Sequence, residues 1–266
     1  GDPCRLASAT GMVGFAALPN GERDRMNAQI LMAALAIATA GLHAEAQIDP
    51  PSAPQAAEED VQGCIQDENV LLRIESCTRV IKSGGLEGPA LAWAYNNRGL
   101  AYEQLRRPER ALEDYNTAVL LDPDFAVGFN NRGNVLAMMG DLEGAVADHT
   151  RAIEIDPEYS DAYFNRGRDF EELGDPEAAV RDYARALEAD PDYVLARLSR
   201  AAAHCDLGNV DEAVADQLAL LEIGHFTAEQ MQEFLKSREF YTGPIDGIFG
   251  QGSRAALRAW AEAGCP

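Results

Sequence analysis

The tetrapeptide Asn-Asn-Arg-Gly runs from Asn96 to Gly99 and returns from Asn130 to Gly133, and its last three letters recur from Asn165 to Gly167. Gly99, Gly133 and Gly167 are therefore spaced 34 residues apart. A period of this length constrains the fold more than any other feature. Each repeat has to be one small supersecondary unit, and such a unit buries its apolar face only against its own copies. Around the glycine the periodicity deepens. Tyr95, Phe129 and Tyr163 stand four positions before it, with Arg197 there in a fourth copy. Tyr102, Leu136, Phe170 and His204 follow three positions after, then Ala111, Ala145, Ala179 and Ala213, then Tyr115, His149, Tyr183 and Gln217. Asp-Pro closes three copies, at Pro123, Pro157 and Pro191. Within each half the small and apolar positions fall at helical spacing, and the "RRP" or "GD" between halves reads as a turn. The closing proline sits where a helix has to end. The expected fold is all-α: a helix-turn-helix solenoid of four repeats over 92–125, 126–159, 160–193 and 194–226. The fourth copy lacks the glycine and the closing proline and reads as a terminal cap.

The pattern resembles the tetratricopeptide repeat, whose large, Gly, aromatic, Ala and Pro positions are matched residue by residue across 92–226. The glycine is expected to mark a point where two helices approach too closely for a larger side chain. Arg98, Arg132, Arg166 and Arg200 recur with Asp114, Asp148, Asp182 and Asp216 sixteen positions on, which predicts an ion pair in every unit. The asparagines carry the functional expectation. In the family that helix position faces a concave groove, where Asn ladders hold the backbone of an extended peptide, because an amide both donates and accepts. The resemblance implies a ladder of Asn97, Asn131 and Asn165, widened by Asn96, Asn130 and Asn134 and ended by Ser199. Neighbouring face positions by spacing are Trp93, Leu100, Glu103, Val127, Ala137, Asp161, Arg168, Glu171 and Glu172. Only Arg168 among them is basic, so a carboxylate clamp is not expected and a neutral or basic peptide fits better.

The flanks read differently. Residues 1–46 are expected to be a leader, with an apolar core from Ile30 to Leu42 that is shorter than a membrane span, Ala44 and Ala46 at a cleavage site, and Met26 as an alternative start. The segment "QIDPPSAPQAAEED", 47–60, is too poor in apolar residues to fold and reads as a tether. Residues 61–91 form a degenerate N-terminal unit, because "SCTRVIKS" aligns with "DHTRAIEI" and sets Cys77 where later repeats carry an aromatic. Once the leader is removed, Cys64, Cys77, Cys205 and Cys265 remain. Cys64–Cys77 is the expected staple, with two buried thiols as the alternative. Cys205–Cys265 would dock the C-terminal segment on the solenoid end.

That segment, 227–266, reads as a helix capped near Thr227, a Gly-rich loop, and a second helix capped by Ser253. It resembles the peptidoglycan-binding helical module, through Gly243, Ile245, Asp246, Gly247, Phe249, Gly250, Ser253, Ala256 and Leu257. The third helix of that module is absent, and Trp260 and Ala261 stand where the family has Phe-Gln. The resemblance implies peptidoglycan as a second partner. The alternative is a folded cap.

Acidic residues outnumber basic ones 44 to 22, for a net charge of −22, which excludes nucleic acid and anionic lipid as principal partners. No nucleophile motif, phosphate loop or metal-ligand spacing occurs in the sequence. The reading is a periplasmic adaptor that binds protein or peptide, without cofactor, metal or catalysis. A scaffold without glycan binding is the first alternative, and an accessory factor of wall metabolism the second.

Overall fold

A turn with fixed backbone chemistry separates the two helices of each repeat. Gly140, Gly174 and Gly208 all adopt positive φ, at 86°, 80° and 72°, and Arg106 takes the same place in the first repeat at 57°. This is the left-handed conformation that closes a helix. The amides of Arg107, Asp141, Asp175 and Asn209 then reach back to the carbonyls of Tyr102, Leu136, Phe170 and His204. Asp141 and Asp175 cap the next helices through Gly144 N and Ala178 N. At the far end of three repeats, Asp122, Asp156 and Asp190 leave helical geometry and accept from the amide two residues on.

The computed structural model describes residues 58–266 apart from residue 67. The leader and most of the tether lie outside the described residues. Twelve helices and no strand occur among them. The N-terminal unit is α1 (Glu58–Gln66) and α2 (Val70–Lys82). The repeats pair α3 (Gly88–Gln104) with α4 (Pro108–Leu121), α5 (Ala126–Met138) with α6 (Leu142–Ile155), α7 (Ser160–Glu172) with α8 (Pro176–Ala189), and α9 (Val194–Asp206) with α10 (Val210–Glu222). The C-terminal segment adds α11 (Ala228–Ser237) and α12 (Gln251–Glu262). The fold is the all-α solenoid that the period implies.

The glycine restriction has a defined cause. A Cβ on Gly99, Gly133 or Gly167 would stand 2.7, 2.6 or 2.7 Å from the ring of Tyr115, His149 or Tyr183. The close approach is therefore to the side chain sixteen residues on. In the fourth repeat the slimmer Gln217 leaves room for Ala201.

Three of the four recurring arginines bolt three helices together, and the fourth joins two. Arg98, Arg132, Arg166 and Arg200 bind their aspartates through two parallel bonds of 2.6–2.9 Å. The third nitrogen of the first three reaches back one unit, to Thr78 on α2, Asn116 on α4 and Thr150 on α6. Ala184 holds that place for Arg200, which has no such bond. Arg98, Arg132 and Arg166 also lie over Tyr95, Phe129 and Tyr163, 5.4, 5.4 and 5.8 Å from the ring centroids.

The two ends are covered by different means. Cys64 is disulfide-bonded to Cys77, with Cα atoms 4.6 Å apart, and joins α1 to α2. Both cysteines share a core with Val80, Leu86 and Trp93. At the other end, Leu220 and Phe226 form one core with Met231, Phe234, Leu235, Leu257 and Trp260. Cys265 bonds Cys205 of α9, with Cα atoms 5.9 Å apart.

Candidate functional site

Successive first helices touch directly, α3 with α5 and α5 with α7, so these helices line the inner side of the stack. The asparagines sit here, and their first partners are one another. The Asn131 amide nitrogen donates to Asn96 Oδ1 at 3.0 Å, and that of Asn165 donates to Asn130 Oδ1 at 3.0 Å. Asn97 turns back onto the carbonyl of Trp93 in its own helix at 2.9 Å. Asn96, Asn97, Asn130 and Asn131 are buried, whereas Asn134 and Asn165 are half-buried. Leu198 and Ser199 stand at these positions in the last repeat, so the row of rungs stops there.

The face acids are mostly engaged by tyrosines. The hydroxyls of Tyr115, Tyr183 and Tyr193 donate to Glu103, Glu171 and Asp161 at 3.1, 2.5 and 2.6 Å. Burial raises the Glu171 carboxyl above its usual range, against the lowering effect of the Tyr183 hydroxyl. Burial also raises the hydroxyls of Tyr183 and Tyr193. Arg168 and Glu172 remain exposed, 4.0 Å apart. One position from the sequence reading is corrected: Trp93 is 2 % exposed and packs under the N-terminal unit rather than opening on the groove. Its large indole is what the short cysteine-linked helices cover.

Residues 228–262 are organised by a residue that the sequence analysis missed. Gln232 is fully buried, and its amide nitrogen donates to Asp246 Oδ1 at 2.9 Å, Ile248 O at 3.1 Å and Ser253 Oγ at 3.1 Å. Its Oε1 accepts from the amides of Asp246 and Gly247. Asp246 also accepts from Ile248 N. The Gln232 bond, followed by that amide, holds the Asp246 carboxyl below the usual carboxylate range. Ser253 is therefore not a helix cap. The N-cap of α12 is Gly250, with no side-chain bond, and Ser253 faces inward to Gln232. Thr227 does cap α11, in a reciprocal box with Gln230. Gly247 needs its positive φ of 72°, and Gly243 lies against the Tyr241 ring. Phe249 packs on the shared core, while Ile245 and Ile248 are exposed. Arg258 reaches Asp211 on α10 at 2.6 Å. The motif residues thus meet as a loop folded around one glutamine, and the signal for it was a lone polar residue inside an apolar helix face.

Among the described residues no group of His, Cys, Asp and Glu is arranged to hold a metal, and no helix is long and apolar enough to cross a membrane.

Three family models described as tetratricopeptide repeat match the chain, over 92–125, 124–192 and 164–225. A crystal structure of MamA is 25% identical, covers 58% of this chain and 88% of its own, and superposes with a TM-score of 0.52. A tetratricopeptide repeat protein from Parabacteroides merdae is 20% identical, covers 68% of both chains, and has a TM-score of 0.55. No curated protein matches the chain.

Proposed function

Since residues 92–225 belong to the tetratricopeptide-repeat family, we propose that the protein is a non-catalytic scaffold that holds an extended segment of a partner protein along α3, α5 and α7. The observation that carries this reading is the inner wall itself. Asn131 and Asn165 each use one amide hydrogen between repeats and keep another hydrogen and an oxygen, and Asn134 and Arg168 reach the same wall. Amides that donate and accept suit a main chain of varied sequence. The net charge of −22 favours a neutral or basic segment.

Two disulfides support an oxidising compartment, and with the apolar leader they point to the periplasm. The 227–266 segment fits a cap best, because its motif polar groups close on Gln232. Exposed Ile245 and Ile248 support a second reading, attachment to peptidoglycan through the loop tip.

The test compares partner recovery from envelope extract by the wild-type chain and by Arg168→Glu/Glu172→Arg, two exposed positions whose exchange leaves the rungs intact. A partner lost by the variant, with unchanged melting, supports the groove. Equal recovery overturns it. Co-sedimentation with sacculi of Ile245→Asp/Ile248→Asp beside wild type decides the second reading, and it spares the core that truncation would uncover.

A further inference from the structure

The second and third repeats meet through a pairing found nowhere else among the described repeats. In repeats one and three a tyrosine fills the aromatic position and donates to a glutamate on its own repeat. Repeat two has His149 there, and Ala137 stands where the glutamate would be. His149 is fully buried. Its Nδ1 lies 2.6 Å from Asp169 Oδ2 on α7, and its Nε2 lies 3.2 Å from Asn134 Oδ1 on α5. Asp169 is itself 4 % exposed, and the corresponding residues of the other repeats are Ala101, Val135 and Ala203. At this repeat position an acidic residue thus appears only where the histidine does.

An amide oxygen only accepts, so Nε2, the ring nitrogen that faces it, donates outward to Asn134 Oδ1, and a second hydrogen lies between Nδ1 and Asp169 Oδ2. That leaves the Asn134 NH2 turned away from the histidine, on a side chain that is half-exposed at the inner wall. Arg168 holds the same register position one repeat later. We propose that His149 is a positioning residue that locks Asn134 with its oxygen inward and its hydrogens in the groove. Together with Arg168, the junction of repeats two and three then selects hydrogen-bond acceptors, the carbonyl oxygens of an extended partner chain. The selection rests on the groove reading; the locked amide does not.

The test is 15N NMR of the full chain with and without poly-L-proline decapeptide, a probe that has backbone carbonyls and no backbone N–H. A hydrogen on His149 Nε2, with a coupling across the hydrogen bond from Nε2–H to Asn134 Cγ, is expected. An unprotonated Nε2 that receives a hydrogen from Asn134 overturns the proposal. The decapeptide is expected to shift the Asn134 and Arg168 side-chain signals. His149→Phe/Asp169→Ala removes the lock together with the carboxyl group it bonds, so the variant keeps no buried carboxyl without a partner. In it the decapeptide should bind about five- to tenfold more weakly, the loss of one oriented hydrogen bond. Unchanged affinity overturns the specificity role. A locked amide that the decapeptide leaves undisturbed sinks the groove reading and the selection with it, and reduces His149 to a structural partner of Asp169.

Discussion

At the residue scale, the repeat is written as linked pairs of positions. Gly99 tolerates no Cβ because Tyr115 stands 2.7 Å from where it would be, whereas Ala201 coexists with Gln217. Gly99→Ala is therefore expected to cost about 1–3 kcal/mol by overpacking. Adding Tyr115→Gln, which copies the fourth repeat, should destabilise less than the two single changes summed. Urea denaturation of all four forms measures that coupling, and strict additivity would refute the pairing. Arg98→Ala has a different cost. It strands Asp114, whose side chain is 6% exposed, and it also releases Thr78, so a loss of roughly 3 kcal/mol is expected by the same measurement. The Asp246 bonds make a pH prediction. Folding favours the charged carboxylate, so its contribution is complete above the ordinary carboxylate value of about 4 and fades as pH falls through that value to the lowered one. The melting-temperature gap between wild type and Asp246→Ala should narrow as pH drops from neutral to about 3.

At the scale of the helix, the turn between paired helices shows what local chemistry decides. Arg106 adopts the left-handed φ that the later repeats give to Gly140, Gly174 and Gly208. Arg106→Gly should stabilise the chain by roughly 0.5–1 kcal/mol, the strain relieved less the added entropy of glycine in the unfolded state. A lower melting midpoint for that variant would contradict the account. The turns and stops of the repeats were legible in the sequence because the "GD" or "RRP" turn and the closing Asp-Pro act over a few residues, and the period repeats them. The Arg–Asp bolts were legible because partners recurring in step reveal contact. Three features were not. The asparagine rungs join Asn96 to Asn131 and Asn130 to Asn165, one residue off the period, so the face looked open where the amides bond each other. Trp93 looked like a groove residue because nothing in its own repeat shows that another unit covers it. Gln232 gathers loop atoms as far off as Ser253, and such a convergence leaves no spacing to read.

At the scale of the whole molecule, a solenoid is held by nearest-neighbour interfaces, so its ends determine where it opens first. The second repeat has arginine bolts and asparagine rungs on both sides. The fourth repeat has lost its backward bond to a hydroxyl or amide, its asparagine rung and its closing proline. It leans instead on the core it shares with α11 and α12, on Arg258–Asp211 and on Cys205–Cys265. That disulfide spans 60 residues, for which the chain-entropy model gives about 4 kcal/mol, against about 3 kcal/mol for the 13-residue span of Cys64–Cys77. Replacing Cys205 and Cys265 by serine should therefore raise hydrogen exchange in α9–α12 and leave α3–α8 nearly unchanged. The same change at Cys64 and Cys77 should loosen α1–α3 and leave the C-terminal end protected. Exchange rising uniformly along the chain in either variant would mean that the molecule opens as one cooperative block, and that the cap protects the inner wall rather than only the repeat it touches.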